Sequence, residues 1–180
     1  SAARFGGFDW CHTRAFSEAT NTQPGVWINL RGREASGCVD PADYERTVAI
    51  LLAGSGIGDR DGTGFGVPTL GQLAGRIADA GIMAVRFDKR GYGQSGGRAE
   101  SATLNDYAED VRAVVKWLAA RKDVDPKRIA VVGHSEGAWV GMLAATREGK
   151  ITALVTLAGA GTTGADLILE QQQSALDLTT

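Results

Sequence analysis

The stretch Ile129-Ala-Val-Val-Gly-His-Ser135-Glu-Gly-Ala138 decides the fold of this 180-residue chain. Its first five residues form a short apolar run ending in glycine, which is typical of a buried strand in a parallel sheet. The residues from Ala138 to Thr146 have the composition of a short helix. The stretch Gly133-His-Ser-Glu-Gly137 therefore makes a tight turn from a strand into a helix.

Ser135 is the candidate nucleophile of this turn. A serine on a sharp strand-to-helix turn has strained backbone angles, and small residues two positions before and after it avoid clashes. Such a turn lifts the hydroxyl out of the sheet edge and places the following N–H groups at a helix N-terminus, where they stabilise an oxyanion. The alternative is a glycine-rich turn with an incidental serine. The flanking strand and helix favour the nucleophile, and we predict a positive φ at Ser135.

Strand and helix patterns alternate along the chain from about Val48 onward. This order predicts an α/β fold with right-handed crossovers and a mostly parallel sheet that has helices on both faces. The predicted strands are Val48–Gly54, Ile82–Asp88, Ile129–Gly133 and Ile151–Leu157, and the predicted helices are Thr69–Ala80, Leu104–Arg121, Ala138–Thr146 and Ala165–Leu176.

The loop Gly54-Ser-Gly-Ile-Gly-Asp-Arg-Asp-Gly62 leaves the Val48 strand and turns at once through glycines. In a fold of this kind, the loop after that strand supplies one N–H of an oxyanion hole. We favour Ser55 as this donor, with Gly56 as the neighbouring choice. The alternative is a loop that cradles phosphate, but the stretch lacks the lysine and Ser/Thr of a P-loop, and G-x-G-x-x-G does not fit.

A third motif, Arg86-Phe-Asp-Lys-Arg-Gly-Tyr-Gly-Gln-Ser95, follows the next strand. We predict that Asp88 and Arg90 hold this loop in shape and take no part in catalysis. Together with the Gly54 loop and the Gly133 turn, the motif resembles the serine-hydrolase branch of the α/β-hydrolase superfamily in order and spacing. The resemblance covers about residues 48–177.

The resemblance implies an esterase, an acyl-transfer hydrolase or a peptidase with no cofactor and no metal. It implies that Ser135 is the nucleophile and that the N–H groups of Glu136 and Ser55 form the oxyanion hole. In that superfamily the acid and the histidine of the triad follow the nucleophile, whereas no histidine follows Ser135 here. We therefore expect a partial α/β-hydrolase fold that is cut off after its sixth strand.

The first 47 residues do not share the strand–helix rhythm. Residues 16–24 are polar and irregular, and Gly25–Leu30 is a candidate strand. Asp9–Phe16, Gly25–Glu34 and Gly37–Glu45 resemble phosphodiesterases of the alkaline phosphatase superfamily, over about residues 8–46. We expect a grafted segment at 1–47, with a helix start at Pro41, followed by the truncated hydrolase core at 48–180. The metal-ligand clusters of a phosphodiesterase are not in this piece, so its chemistry is not carried over.

The general base is the open part of the hypothesis. His134 precedes the nucleophile and points away from its working side, so it is a poor base. His12 lies in the grafted segment, where a surface histidine is the favoured interpretation. The candidate carboxylates, none of which the spacing singles out, are Asp59, Asp61, Glu136 and Asp166.

Composition excludes several classes of function. The net charge of −2 gives no electrostatic footprint for nucleic acid or an anionic membrane. No apolar stretch approaches the roughly 20 residues of a membrane-spanning helix, and the N-terminus lacks the order of a secretory signal, so we expect a cytoplasmic protein. Cys11 and Cys38 are expected to be free thiols rather than a disulfide, and neither has a zinc-site spacing.

The favoured function is hydrolysis of small activated carboxylic esters, weak because the triad is incomplete. The alternative is a non-catalytic hydrolase fragment that self-associates through its unpaired sheet edge. Phosphodiester cleavage by the N-terminal piece is a distant third. In either of the first two cases we expect a homo-oligomer, with a small ester as the partner of the catalytic form.

Overall fold

The structure, a computed structural model, describes residues 15–18, 25–28, 40, 46–56 and 58–177. Its strands are β1 (Ala15–Glu18), β2 (Gly25–Ile28), β3 (Val48–Leu52), β4 (Thr63–Gly64), β5 (Val67–Pro68), β6 (Met83–Val85), β7 (Ile129–His134) and β8 (Ile151–Leu157). Its helices are α1 (Thr69–Asp79), α2 (Leu104–Ala119), α3 (Glu136–Ala145) and α4 (Gly164–Asp177).

The main sheet has four parallel strands in the order β6-β3-β7-β8. Strand β3 is central, and all five of its residues are buried. Val48 pairs with Met83 on one side and with Ile129 on the other. Because parallel strands end at the same edge, the segments that follow β3, β6 and β7 lie together at one edge of the sheet. These segments contain the three predicted motifs.

Helices cover both faces of this sheet, as the alternation along β3 requires. Val48, Ile50 and Leu52 face a core cluster that also contains buried residues of α2 and α3. Ala49 and Leu51 point the other way, into a cluster with the buried side of α1. Successive side chains of a strand point to opposite faces, which is why an unbroken apolar run marks a strand covered on both sides. The predicted α/β fold with helices on both faces is confirmed.

Several elements differ from the prediction in their bounds, and one hairpin was missed. Strand β6 ends at Val85 rather than Asp88. The carboxylate of Asp88 binds Arg60 in the loop after β3. Helix α3 begins at Glu136, two residues before the predicted Ala138, since the turn feeds directly into the helix. The hairpin of β4 and β5 was not predicted, because its strands have only two residues each.

The N-terminal region also differs from expectation. The stretch from Phe16 was expected to be irregular, but Ala15–Glu18 forms β1 and pairs antiparallel with β2. Strand β2 confirms the predicted strand at Gly25. His12, Cys11, Cys38 and the predicted helix start at Pro41 lie outside the described residues, and the boundary between 47 and 48 stays a prediction. Among the described helices, none is both long enough and apolar enough to cross a membrane.

Candidate active site

Ser135 is the single residue between β7 and α3. Its φ is 52° and its ψ is −118°, so the predicted positive φ is confirmed. A non-glycine residue with such angles is strained and persists only where the surroundings fix it. Two backbone hydrogen bonds do so: the Ser135 N–H donates to the Leu157 carbonyl at 2.8 Å, and its own carbonyl accepts from the Ala138 N–H at 2.9 Å.

Gly133 and Gly137 make this turn possible. A Cβ on Gly133 would collide with the carbonyl oxygen of Gly137. A Cβ on Gly137 would lie 2.5 Å from the carbonyl oxygen of Leu52, at the end of β3. The requirement for small residues two positions before and after the serine therefore has a direct steric cause. It also shows that the start of α3 packs against the backbone of the central strand.

The loop after β3 lies against the turn. A Cβ on Gly54 would be 3.2 Å from Cβ of Ser135 and 3.3 Å from Nδ1 of His134. Gly54 is buried, whereas Ser55 and Gly56 are exposed. The two loops predicted to contribute oxyanion donors are thus neighbours in space. Ser55 follows Gly54 in the chain, and Glu136 follows Ser135. Their backbone N–H groups are the two candidate oxyanion donors.

Lys89 connects these two loops. Its Nζ donates to the carbonyl oxygen of Gly54 at 2.6 Å and to Oε1 of Glu136 at 2.8 Å. The ammonium also lies 5.2 Å from the ring centroid of Tyr107, within the range of a cation–π contact. The side chains of Lys89 and Glu136 are only 14% and 22% exposed.

Asp88 and Arg90 have structural partners, as predicted. The buried carboxylate of Asp88 accepts hydrogen bonds from the N–H and guanidinium of Arg60, in the loop after β3. These hydrogen bonds hold the pKa of Asp88 well below its usual range. The guanidinium of Arg90 binds Asp110 on α2. The loop after β6 is therefore fixed to the loop after β3 and to α2.

An open cavity of about 450 Å³ lies beside the turn. Burial raises the pKa of Tyr107 in its wall, and the nearby charge of Glu136 acts in the same direction. Tyr92 lies flat over Gly58, where a Cβ would overlap its ring. The cavity combines two aromatic rings with charged groups, and it is lined by Gly56, Lys89, Gly91, Tyr92, Ala99, Glu100, Tyr107 and Glu136.

The four candidate carboxylates all have other partners. Asp59 accepts from the N–H of Asp61 and from Thr63. Asp61 forms an ion pair with Arg86. Glu136 binds Lys89, and Asp166 binds Thr163 at the start of α4. Within the part of the chain that the structure describes, the Ser135 hydroxyl makes no hydrogen bond with any of them.

Lys89, Tyr92 and Tyr107 are the residues near the site that sequence reasoning missed. Lys89 lies inside the motif Arg86–Ser95, between Asp88 and Arg90, and the sequence assigns it no role of its own. Its partners Gly54 and Glu136 are remote in sequence, and no spacing rule connects them. One signal was available: Lys89 follows a predicted strand of a parallel sheet. Because parallel strands end at the same edge, Lys89 was expected at the edge that also carries the Gly54 loop.

Comparisons with known proteins identify the family of the chain. A family model described as "Serine aminopeptidase, S33" matches residues 62–178. An uncharacterized protein of Mycobacterium tuberculosis is 38% identical over 92 residues, which are 51% of this chain and 29% of that relative. The human mitochondrial palmitoyl-protein thioesterase ABHD10 is 34% identical over 84 residues, 46% of this chain and 26% of the relative. This chain thus matches less than a third of the length of either relative.

A solved structure shows the same fold. The α/β-hydrolase GrgF of Penicillium sp. sh18 superposes with a TM-score of 0.56 at 24% identity, covering 74% of this chain and 43% of the other. A hypothetical protein of Pseudomonas aeruginosa superposes with a TM-score of 0.53 at 23% identity, covering 74% of this chain and 45% of the other. With the family match over more than half of its length, the chain belongs to the serine aminopeptidase S33 family of α/β-hydrolases.

Proposed function

We propose that this chain hydrolyses small activated carboxylic esters through Ser135. The observation that carries the proposal is the geometry of Ser135, which has a φ of 52° between β7 and α3 and lies against Gly54. That position suits a nucleophile flanked by two N–H donors, those of Glu136 and Ser55. Family membership supports a hydrolase, and the choice of esters and of these residues is our proposal.

The reaction would proceed in two steps. The Ser135 oxygen attacks the ester carbonyl, and the electron pair of the C=O bond moves onto oxygen beside the two N–H groups. The electron pair then returns to re-form the C=O bond, and the C–O bond to the alcohol breaks. The alcohol leaves with the proton that Ser135 gives up, carried by water, and an acyl-serine remains. Water attacks this acyl group, releases the acid and restores the hydroxyl. The cavity next to Glu136 provides room for a small acyl or alcohol group.

We propose that the activity is weak. The serine hydroxyl needs a base to become a good nucleophile, and Ser135 has no hydrogen-bonding base among the described residues. Enzymes stripped of triad members retain an acceleration of roughly 10³ to 10⁴ over water, owing to the oxyanion hole and binding. Hydrolysis of esters with good leaving groups fits that range. Because ABHD10 is described as a thioesterase, short thioesters belong among the test substrates.

The test is covalent labelling combined with a serine variant. A fluorophosphonate should label the wild-type chain once, at Ser135, as identified by mass spectrometry of the digested protein. Ser135→Ala should lose both the label and the hydrolysis of a p-nitrophenyl ester. Ser101→Ala is the matched control, because Ser101 is exposed in a turn, and it should retain both. Unchanged hydrolysis in Ser135→Ala would assign the activity to another site.

A self-associating protein without catalysis is the second candidate. Helix α4 has no buried residue and exposes Ile168, Leu169 and Leu176. Exposed apolar residues close together favour association between proteins. Labelling separates the two candidates, since a non-catalytic protein would not react stoichiometrically with the phosphonate at Ser135. Activity that is insensitive to EDTA would further exclude a metal-dependent phosphodiesterase as its source.

A further inference from the structure

We propose that Lys89 is a positioning residue that aims and strengthens the oxyanion-hole N–H of Ser55. The inference rests on the proposed function, because it concerns the same oxyanion hole. It assigns a role to a side chain that contacts neither the serine nor the substrate. Lys89 would act through the peptide group between Gly54 and Ser55.

The carbonyl of Gly54 and the N–H of Ser55 belong to one planar unit, and in a trans peptide they point in opposite directions. The structure contains no cis peptide among the residues that it describes. Lys89 Nζ holds the Gly54 carbonyl oxygen at 2.6 Å. Fixing the direction of the carbonyl therefore fixes the direction of the Ser55 N–H on the other side of the plane.

The charge of Lys89 adds a second effect. A hydrogen bond from an ammonium is stronger than one between neutral groups. It also polarises the acceptor, and hydrogen bonds in series strengthen one another. A cation on the Gly54 oxygen should therefore make the Ser55 N–H a better donor to an oxyanion. Free peptide groups in exposed loops lack this support, and Ser55 is exposed.

Lys89 is itself held in place from three sides. Its backbone N–H donates to the Gly58 carbonyl at 2.8 Å, which fixes the loop after β6 to the loop after β3. Its Nζ binds Oε1 of Glu136 at 2.8 Å, and the Tyr107 ring lies beneath the ammonium. Glu136 carries the second proposed oxyanion N–H on its own backbone. One ammonium thus contacts both the peptide group that contains the Ser55 N–H and the side chain of Glu136. It should therefore hold the two proposed donors at a fixed distance from each other.

The direct test is Lys89→Met, which keeps the length of the side chain and removes both hydrogen bonds and the charge. For a p-nitrophenyl ester we expect kcat to fall by about tenfold to a hundredfold, below the roughly 10²- to 10³-fold cost of deleting an oxyanion donor. KM should change by less than about threefold, because the effect is on the transition state. Lys89→Arg keeps the charge and donors and should recover most of kcat. The matched control is Lys122→Met, at an exposed position, which should leave kcat unchanged.

A second pair of variants leaves Lys89 itself in place. Glu136→Leu removes the carboxylate that holds the ammonium but keeps the Glu136 backbone N–H, and it should lower kcat in the same direction. Glu136→Gln keeps an acceptor oxygen and should lower kcat less than Glu136→Leu. This pair decides the question if Lys89→Met does not fold.

Hydrogen exchange gives a measurement that does not depend on activity. In Lys89→Met the amide of residue 89, which donates to the Gly58 carbonyl, should exchange at least about tenfold faster because the two loops lose the ammonium that joins them, while the amides of α2 remain as protected as in wild type. Unchanged exchange at residue 89, a kcat like that of Lys122→Met, or a loss confined to KM would overturn the inference. If the phosphonate fails to label wild-type Ser135, the proposed function fails instead, and the exchange rates alone decide whether Lys89 positions the loop.

Discussion

The backbone N–H of Ser135 donates a 2.8 Å hydrogen bond to the carbonyl oxygen of Leu157, the last residue of β8. His134 and Leu157 are the last paired residues of β7 and β8. The strained serine is therefore attached to β8 by one backbone hydrogen bond just past the last paired residues of β7 and β8. This attachment explains how a residue with φ near 52° stays at the end of a regular strand.

Gly137→Ala should destabilise the fold strongly. The new Cβ would lie 2.5 Å from the Leu52 carbonyl oxygen, and neither backbone can move without disturbing the turn or β3. Overpacking of this kind costs about 1–3 kcal/mol or more in the free energy of unfolding, measurable by urea denaturation. Gly75→Ala is the control, because nothing lies near its Cβ position in α1, and helix propensity should stabilise it by about 0.5–1 kcal/mol. Equal stabilities for the two variants would contradict the steric argument.

Asp88→Asn should change how stability depends on pH. Arg60 lowers the pKa of Asp88 in the folded state, so the carboxylate contributes stability above its unfolded pKa, about 3.9, and this contribution is lost as the pH falls through the folded pKa. The wild type should therefore exceed the variant in urea midpoint at pH 5–7, and the difference should shrink progressively below about pH 4. Asp79→Asn, which breaks an exposed ion pair with Arg76, should barely change the midpoint. A difference that grows on acidification would contradict the assignment.

His12→Ala should have a small effect on hydrolysis. The sequence predicts that the segment carrying His12 is grafted from an unrelated protein, and on that prediction no selection has aimed this imidazole at Ser135. We expect the rate to keep climbing with pH as hydroxide takes over. An imidazole base would instead give a profile that levels off above an apparent pKa near 6 to 7. A loss of about a hundredfold in His12→Ala, similar to that in Ser135→Ala, would identify a rebuilt triad.

Self-association is expected at micromolar concentrations. In the described sheet β8 pairs on one side only, and α4 exposes Ile168 and Leu169 close by in sequence. Leu169→Glu should shift the distribution towards the monomer in light scattering, because it places a charge within an apolar face. Trp117→Glu is the control: Trp117 is also exposed, but it lies on α2 beside Arg121. A wild-type monomer at high micromolar concentration would contradict the expectation.

The fold was predictable because its signals are local. Apolar runs marked β3 and β7, and the glycines around Ser135 marked a turn whose steric cause the structure supplies. The contacts of Lys89 were not predictable, since they join it to a Gly54 carbonyl and a Glu136 carboxylate that are distant in sequence. The two-residue strands around Phe65 were missed because so short a hairpin has no measurable periodicity. Both failures concern contacts between loops, which residue patterns do not encode.

The central place of β3 has a consequence for folding kinetics. Its partners are β6, which begins at residue 83, and β7, which begins at residue 129. Strand β3 can therefore pair only after a long loop of the chain has closed. Contacts between such distant residues form slowly, whereas β7, α3 and β8 are consecutive and can assemble early. Until β3 arrives, the inner edge of β7 is open to strands of other molecules. Refolding at low protein concentration should therefore raise the yield of native chain, because it gives β3 time to reach that edge first.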